Sequence, residues 1–374
     1  MSLFCRALPR AGFLCALALI VSFSTSVQAA TRTITDALGR KVEVKNNVER
    51  VVINFNFEEF TAIAGIENWA KVVGISRSVW EGWRPAIFSR YKAVIPNLAA
   101  MPEVGNTEEN SLSAEKIIAL KPDVFFVAEW GFKALGPAEA QLKAAGIPIV
   151  VIDYNAQILE RHLASTRAIG AVMGTPQRAE ELATLYERNF NDVQARIARS
   201  KVAPQKVYVE LGQAGAATYG NSYSNTMWGK IITTLKAVNI ADGKLPGPWG
   251  PLNAETVLAE NPDLIFIAGS SWINRPLAVK TGYDATPEIT RASLSSYAQR
   301  PGWSNLKAGQ KGQIFAIEHG LCRTLFDFVA YQYIAKQLYP DVFADVDPEA
   351  NFKAYHARYL PVAYSGTWMI RLTP

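Results

Sequence analysis

The amino-acid sequence predicts an α/β protein of two similar lobes bridged by a helical strut. Three observations predict it: a segment written twice, a recurring alternation of helix and strand, and a long helical pattern between the two copies. Leu112 to Ala128 reads LSAEKIIALKPDVFFVA, and Leu252 to Ala268, shifted by 140 positions, reads LNAETVLAENPDLIFIA, with eight identities in seventeen. Each copy opens on a helix cap (Ser113, Asn253). A leucine before the cap (Leu112, Leu252) can staple onto the apolar residue four into the helix (Ile117, Val257). Each then meets Pro-Asp. The residue before a proline is pushed out of the helical region, so Lys121 and Asn261 end the helices, and the apolar run that follows reads as a strand buried on both faces. Copies so far apart are not a short-period solenoid but two related lobes, and a cleft between lobes is a common ligand site.

The other elements follow the same alternation. The first 29 residues carry Arg6 and Arg10, an apolar stretch from Ala11 to Phe23 and then Val27-Gln28-Ala29, the pattern of a cleaved secretory signal peptide. The apolar stretch falls short of the roughly 20 residues a spanning helix needs, and Cys15, after Leu14 in mid-core, is misplaced for lipid attachment. Arg32 to Val44 alternates around Leu38-Gly39 as a hairpin, Arg50 to Phe55 is a strand, and Glu58 to Gly65 a short helix closed by glycine. Lys71 to Ile75, the first copy, and Ile147 to Asp153 continue a doubly wound sheet. Ile158 to Met173 and Pro176 to Arg199 are helical, the second opened by Thr175-Pro176 as cap and first helical residue, with no Gly or Pro again until Pro204. A connection of this kind is a strut. The second lobe runs through Lys206 to Leu211 (strand), Asn225 to Val238 (helix), the second copy, Gln313 to Glu318 (strand), and helices Asp327 to Leu338 and Glu349 to Leu360. Asn274 to Gly302 reads as a long loop with one helix that could cover the cleft. The expected division is signal peptide 1–29, first lobe 30–157, interlobe helical segment 158–203 and second lobe 204–374.

Composition excludes several classes. Without Arg6 and Arg10 the mature chain of about 345 residues has 36 basic and 33 acidic side chains, a net charge of +3, too weak and evenly spread for nucleic acid. No later apolar run approaches spanning length, so the mature chain is expected not to span a membrane. Cys5 and Cys15 leave with the signal; Cys322 is then the only thiol, no intrachain disulfide can form, and a buried, inert thiol is expected.

Ligands of open α/β sheets bind outside the carboxyl ends of the strands. The residues that follow each strand are Trp80, Trp83 and Arg84; Trp130; Tyr154; Tyr219; Trp272; and His319 with Arg323, while Trp249 precedes the second copy. Single aromatics are common in ordinary cores, but their recurrence at strand ends of both lobes points to a large, flat or partly apolar ligand. Arg323 suits an anionic ligand, and histidine is often recruited at sites. The histidines His162, His319 and His356 are scattered, there is no H-E-x-x-H, no G-x-S-x-G and no phosphate-cradling glycine loop. No catalytic residue, resident cofactor or bare-metal site is expected; a metal would arrive wrapped in a chelator.

The opening ITDALGRKVEV followed by RVV, the paired S-x-E-x-I-x-A-L-x-P-D pattern and the mid-chain strut resemble the periplasmic substrate-binding proteins of ABC importers for ferric siderophores, haem and cobalamin. The resemblance covers nearly all of the mature chain and is carried by scaffold motifs. It implies a class III periplasmic binding protein: two Rossmann-like lobes joined by a long rigid α-helix, a monomer that binds a ferric siderophore or related metal chelate in the cleft and delivers it to an inner-membrane ABC permease. It also implies a docking glutamate on each lobe. On the first lobe Glu59, with Glu58 beside it, matches that position; the corresponding start on the second lobe, Tyr223-Ser224-Asn225-Thr226, has no acid. The rival cargo is haem or a corrinoid with His319 or Tyr219 as axial ligand. An exported enzyme using the cleft and a bare-metal carrier are the rivals from other classes.

Overall fold

A computed structural model describes residues 1–2 and 30–373; the expected signal peptide lies outside the described residues. The strands are β1 (Thr31–Thr35), β2 (Lys41–Lys45), β3 (Val51–Ile53), β4 (Val72–Ile75), β5 (Val124–Ala128), β6 (Ile149–Ile152), β7 (Lys206–Leu211), β8 (Asn221–Tyr223), β9 (Val238–Asn239), β10 (Trp249–Pro251), β11 (Leu264–Gly269), β12 (Ile314–Glu318) and β13 (Met369–Arg371). β1 and β2 form the opening hairpin, Thr35 opposite Lys41. The first-lobe sheet has the order β4-β3-β5-β6, all parallel. The second has the order β9-β7-β11-β12, also parallel, plus β13 antiparallel at the edge. In each lobe the second strand flanks the first on one side and the third on the other, so both sheets reverse direction at the same point. β5 and β11, the strands of the duplicated segment, are the third strand of each.

The local chemistry of the two copies is alike. Ser113 accepts a hydrogen bond from the backbone N–H of Lys116, and Asn253 from that of Thr256. Leu112 packs with the cluster containing Ile117, and Leu252 with Val257. Lys121 and Asn261 leave their helices in the left-handed region, at φ 46° and 49°, and β5 and β11 are buried at every residue. The helix expected over Asn225 to Val238 is trimmed to Met227–Thr234: Lys236 turns left-handed at φ 60°, and Val238 bonds to Gln205 O as β9 begins.

The interlobe connection is a pair of packed helices, Leu159–Met173 and Pro176–Arg199, which turn at Gly174 (φ 76°). They meet where a Cβ on Gly170 would lie 2.2 Å from that of Ala179, so a glycine is required there. The expected Thr175 cap does not form: its hydroxyl donates instead to Ile63 O at 2.9 Å, tying the helix start to the first lobe. Twenty residues on, Arg196 bonds Val342 O at 2.9 Å and Asp345 at 2.7 Å in the second lobe, so one unbroken helix is fastened at both ends.

A second bridge is formed by the turn from Glu318 to Asp327, whose residues are almost all buried between the lobes. The buried carboxylate of Asp327 accepts from Tyr186 OH (2.8 Å), Gln157 Nε2 (2.6 Å) and His162 Nε2 (3.2 Å). Gln157 Nε2 also donates to Cys322 O, and Tyr331 OH donates to Gln157 Oε1. Glu59 accepts from the backbone N–H of Leu325 at 3.1 Å, and Arg84 pairs with Glu58 at 2.7 Å. A Cβ on Gly320 would stand 2.6 Å from Arg84 Nη2 and 2.8 Å from Glu318 Oε2. Charges this far from water persist only when partnered.

This placement overturns the docking expectation for Glu58 and Glu59. All eight residues of helix Phe57–Ala64 are buried, because its first turn abuts the Glu318–Asp327 turn; Glu59 is 1% exposed and faces the other lobe. Burial, then the neighbouring Glu58 charge, pushes the Glu59 carboxyl up from 4.5 to about 7. The folded chain thus holds this proton more tightly than the unfolded chain: the contribution is fullest below about pH 4.5 and is lost as pH rises through about 7. Glu59→Gln should flatten that fall, by the order of 2–3 kcal/mol between pH 5 and pH 8 in urea unfolding; parallel pH profiles would contradict the assignment. The doubly fastened strut predicts in addition that small-angle scattering curves of cargo-free and cargo-loaded protein superimpose, whereas a marked contraction would make the Gly174 turn a hinge.

Candidate functional site

A cavity of about 550 Å³ opens between the lobes at the carboxyl ends of the strands. From the first lobe come Glu129, Trp130 and Lys133 after β5 and Asn155 and Ala156 after β6, joined by Arg161 of the interlobe helix Leu159–Met173. The second lobe contributes the β8–β10 ribbon, the turn at Asn225 and Thr226, and His319 and Arg323 after β12. The ribbon places Tyr223 directly opposite Trp249, with Ser224 N bonded to Pro248 O at 2.9 Å. Asn155 O receives the N–H of Met227 and the hydroxyl of Thr226, closing the cavity beneath these turns. Glu318 shapes the last wall: its Oε2 accepts from Gly320 N at 2.6 Å and curls His319–Cys322 into a single tight turn.

The charges lining the cavity are unevenly paired. Lys133 pairs with Glu129, and Arg161 with Asp153 at 2.9 Å. Arg323 has no carboxylate at ion-pair distance among the described residues; its Nε is buried without a partner and its guanidinium lies 5.3 Å from the Phe55 ring centre. Glu108, exposed on the rim, has its carboxyl raised by partial desolvation against the pull of Arg323. Trp130 Nε1 is also buried without a partner. His319 accepts at Nδ1 from Trp228 Nε1 (3.2 Å), and burial, with the Arg323 and Arg84 charges, holds its ring well below the ordinary value and therefore neutral.

The structure brings Trp130, Trp249, His319 and Arg323 together on this cavity. Trp249 is 52% exposed at the mouth. Trp83, 6.3 Å from Trp130, and Trp272, 6.2 Å from His319, stand behind the wall, partly buried. The remaining candidates lie elsewhere. Trp80 is buried in the first-lobe core, stacked on Phe57 at 4.5 Å and Trp69 at 5.8 Å. Tyr154 is buried with its hydroxyl on Thr166. Tyr219 packs in the second-lobe cluster, where it takes the Trp303 indole N–H at 3.0 Å and the Arg300 guanidinium over its ring at 4.2 Å. Arg84 belongs to the lobe interface. Cys322 is buried, its thiol on His319 O and raised well above the ordinary value by burial. No residue of Asn274–Gly302 lines the cavity; its helix, Pro287–Ala298, packs on β12 and β13 instead. Asn155, Arg161 and Asn221 line the cavity without having been singled out in the sequence, and Tyr223 and Asn225, named there only at the docking position, line it too, because pairings across distant segments put them there.

A larger concavity of about 870 Å³ lies at the opposite, amino ends of the first-lobe strands, beside Arg50, Val72 and Leu120. It is mostly apolar and lacks the convergent unpaired donors of the interlobe cavity.

The sequence profile of the family described as periplasmic binding protein matches residues 55–319. Among solved structures, the TroA-like periplasmic binding protein FepB of Veillonella parvula is 35% identical, with a TM-score of 0.85, covering 91% of this chain and 99% of that one. Among characterised proteins, the molybdate-binding protein MolA of Haemophilus influenzae is 24% identical over 359 residues, 90% of this chain and 92% of its own. A vitamin B12-binding protein of Pectobacterium atrosepticum is 30% identical over 178 residues, covering 46% of this chain and 61% of that protein. The profile spans both sheets' switch points and ends on His319, at the cavity wall: this chain belongs to the periplasmic binding protein family, and is a binding protein and not an enzyme.

Proposed function

We propose that this chain captures a ferric siderophore in the interlobe cavity and, exported to the periplasm, delivers it to an inner-membrane ABC permease. The observation that carries the reading is Arg323, a cavity cation whose buried Nε has no hydrogen-bond partner and which has no carboxylate at ion-pair distance among the described residues, Glu108 and Glu318 acting on it only from farther off. An anion is the natural complement, because a guanidinium with a desolvated Nε gains a charge-assisted hydrogen bond that water no longer supplies. The aromatic groups Trp130, Tyr223 and Trp249 supply apolar walls for the organic shell of a chelate. A volume of about 550 Å³ suits a ligand of drug size.

Likeness to the molybdate-binding protein over 90% of the chain favours a second reading, a metal oxyanion, which would meet the same unpaired donors. Size speaks against it, since four oxygens around one metal leave most of the cavity empty. Haem or a corrinoid held by an axial side chain has less support: Tyr219 is engaged by Trp303 away from the cavity, and the His319 lone pair at Nδ1 is occupied by Trp228.

Titration of the protein with ferric hydroxamate, catecholate and carboxylate chelates, haemin, cobalamin, molybdate and free ferric salt, followed by tryptophan emission, tests the reading. Saturable quenching by a ferric chelate is expected from Trp130 and Trp249. Arg323→Ala should weaken that binding by about 1.5–3 kcal/mol, the worth of a hydrogen bond to a charged group. Tight binding of molybdate alone, or an affinity indifferent to Arg323, would overturn it.

A further inference from the structure

The Trp228–His319 bond determines what the cavity can recognise. Trp228 is the second residue of helix Met227–Thr234 and is fully buried; its side chain has one polar atom, an N–H that can only donate. That N–H meets His319 Nδ1 at 3.2 Å. Nδ1 must therefore carry a lone pair, and a neutral imidazole with a bare Nδ1 carries its proton on Nε2. The charged form is excluded by the same contact, since it would set Nδ1–H against the indole N–H. Nε2 has no partner among the described residues, and the ring lines the cavity. Among the described residues the indole is the ring's only hydrogen-bond partner: Tyr223 and Trp272 face it with their rings, at 5.9 Å and 6.2 Å between centres, and Cys322 bonds only to its backbone oxygen.

We infer that Trp228 is a positioning residue that fixes His319 as a hydrogen-bond donor at Nε2, so that this end of the cavity reads an oxygen acceptor on the cargo and refuses to ligate its metal. Ligation through Nε2 requires its proton to move to Nδ1, which breaks the indole bond and leaves two buried donors facing each other. A cargo contacted here is therefore one whose metal is not ligated by His319 and whose outer surface offers carboxylate, catecholate or hydroxamate oxygen to its Nε2 proton. This deepens the proposed function and rests on the same cavity; the state of the ring itself can be tested without cargo.

The test is the imidazole nitrogen spectrum of the full cargo-free protein, His319 being assigned by its loss in His319→Gln. A protonated Nε2 and an unprotonated Nδ1, with a coupling across the hydrogen bond from the Trp228 indole nitrogen, is the expected result. In Trp228→Phe both tautomers should coexist. A proton on Nδ1 in the native protein, or an unchanged tautomer in Trp228→Phe, overturns the inference, and the native spectrum decides it even if the variant fails to fold. With a ferric tris-catecholate as probe, His319→Ala should lose about tenfold in affinity and His319→Gln should recover most of it, because the glutamine amide restores a donor without offering a good metal ligand. Equal loss in the two variants also overturns it. Absence of binding by that probe would count against the siderophore reading, while the nitrogen spectrum would still decide the tautomer.

Discussion

The wedging of the Glu318–Asp327 turn between the lobes is the constraint on which the other features depend. Asp327 and Glu59 are carboxyl groups removed from water, and each takes hydrogen bonds from a distant part of the chain: Asp327 from Tyr186, Gln157 and His162, Glu59 from the backbone of Leu325. Removing one partner would leave a buried charge or donor unmet, a large fraction of a domain's net stability. The geometry is therefore held from both sides. His319 and Arg323 lie on this turn, so the constraint that fixes the lobes also fixes the donors of the cavity.

The lobes share a strand order, yet they contribute unlike chemistry to the site. Their sheets and the duplicated segment provide equivalent frames, with switch points facing the same cleft. What differs is the turns beyond the strands. After β5 the chain presents Trp130 and a self-neutralised Glu129–Lys133 pair; after β12 it presents His319 and an Arg323 with no direct ion pair among the described residues. A symmetric scaffold with an asymmetric lining can hold a cargo in one orientation, an apolar edge toward one lobe and anionic oxygen toward the other.

The legible part of the fold was the part written locally. Caps at Ser113 and Asn253, the helix ends at the Pro-Asp pairs after Lys121 and Asn261, and the hairpin around Gly39 are decided within a few residues, and each formed, the exits taking the left-handed region. The rule that ligands bind at strand ends named Trp130, His319 and Arg323, which line the interlobe cavity together with Trp249, named for preceding the second copy. It also proposed Trp80, Tyr154 and Tyr219, which occupy the same sort of position but turn inward, because side-chain direction after a strand depends on what packs above it. Glu59 was matched to the docking position by resemblance, and no local signal warned that a segment some 260 residues later is laid on the first turn of its helix. Tyr223 and Asn225 were named only as the helix start that matches the docking position, not as cavity residues, because β8 gains its meaning only by pairing with β10.

Hydrogen–deuterium exchange of the cargo-free protein measures the central claim most directly. If the turn from Glu318 to Asp327 is a preformed bridge, its amides should be protected to the level of β11 and β12, although it has no ladder of its own. Exchange at the rate of an exposed loop, with protection arriving only when cargo is added, would contradict the account: the lobes would then be joined by their ligand and not by the chain.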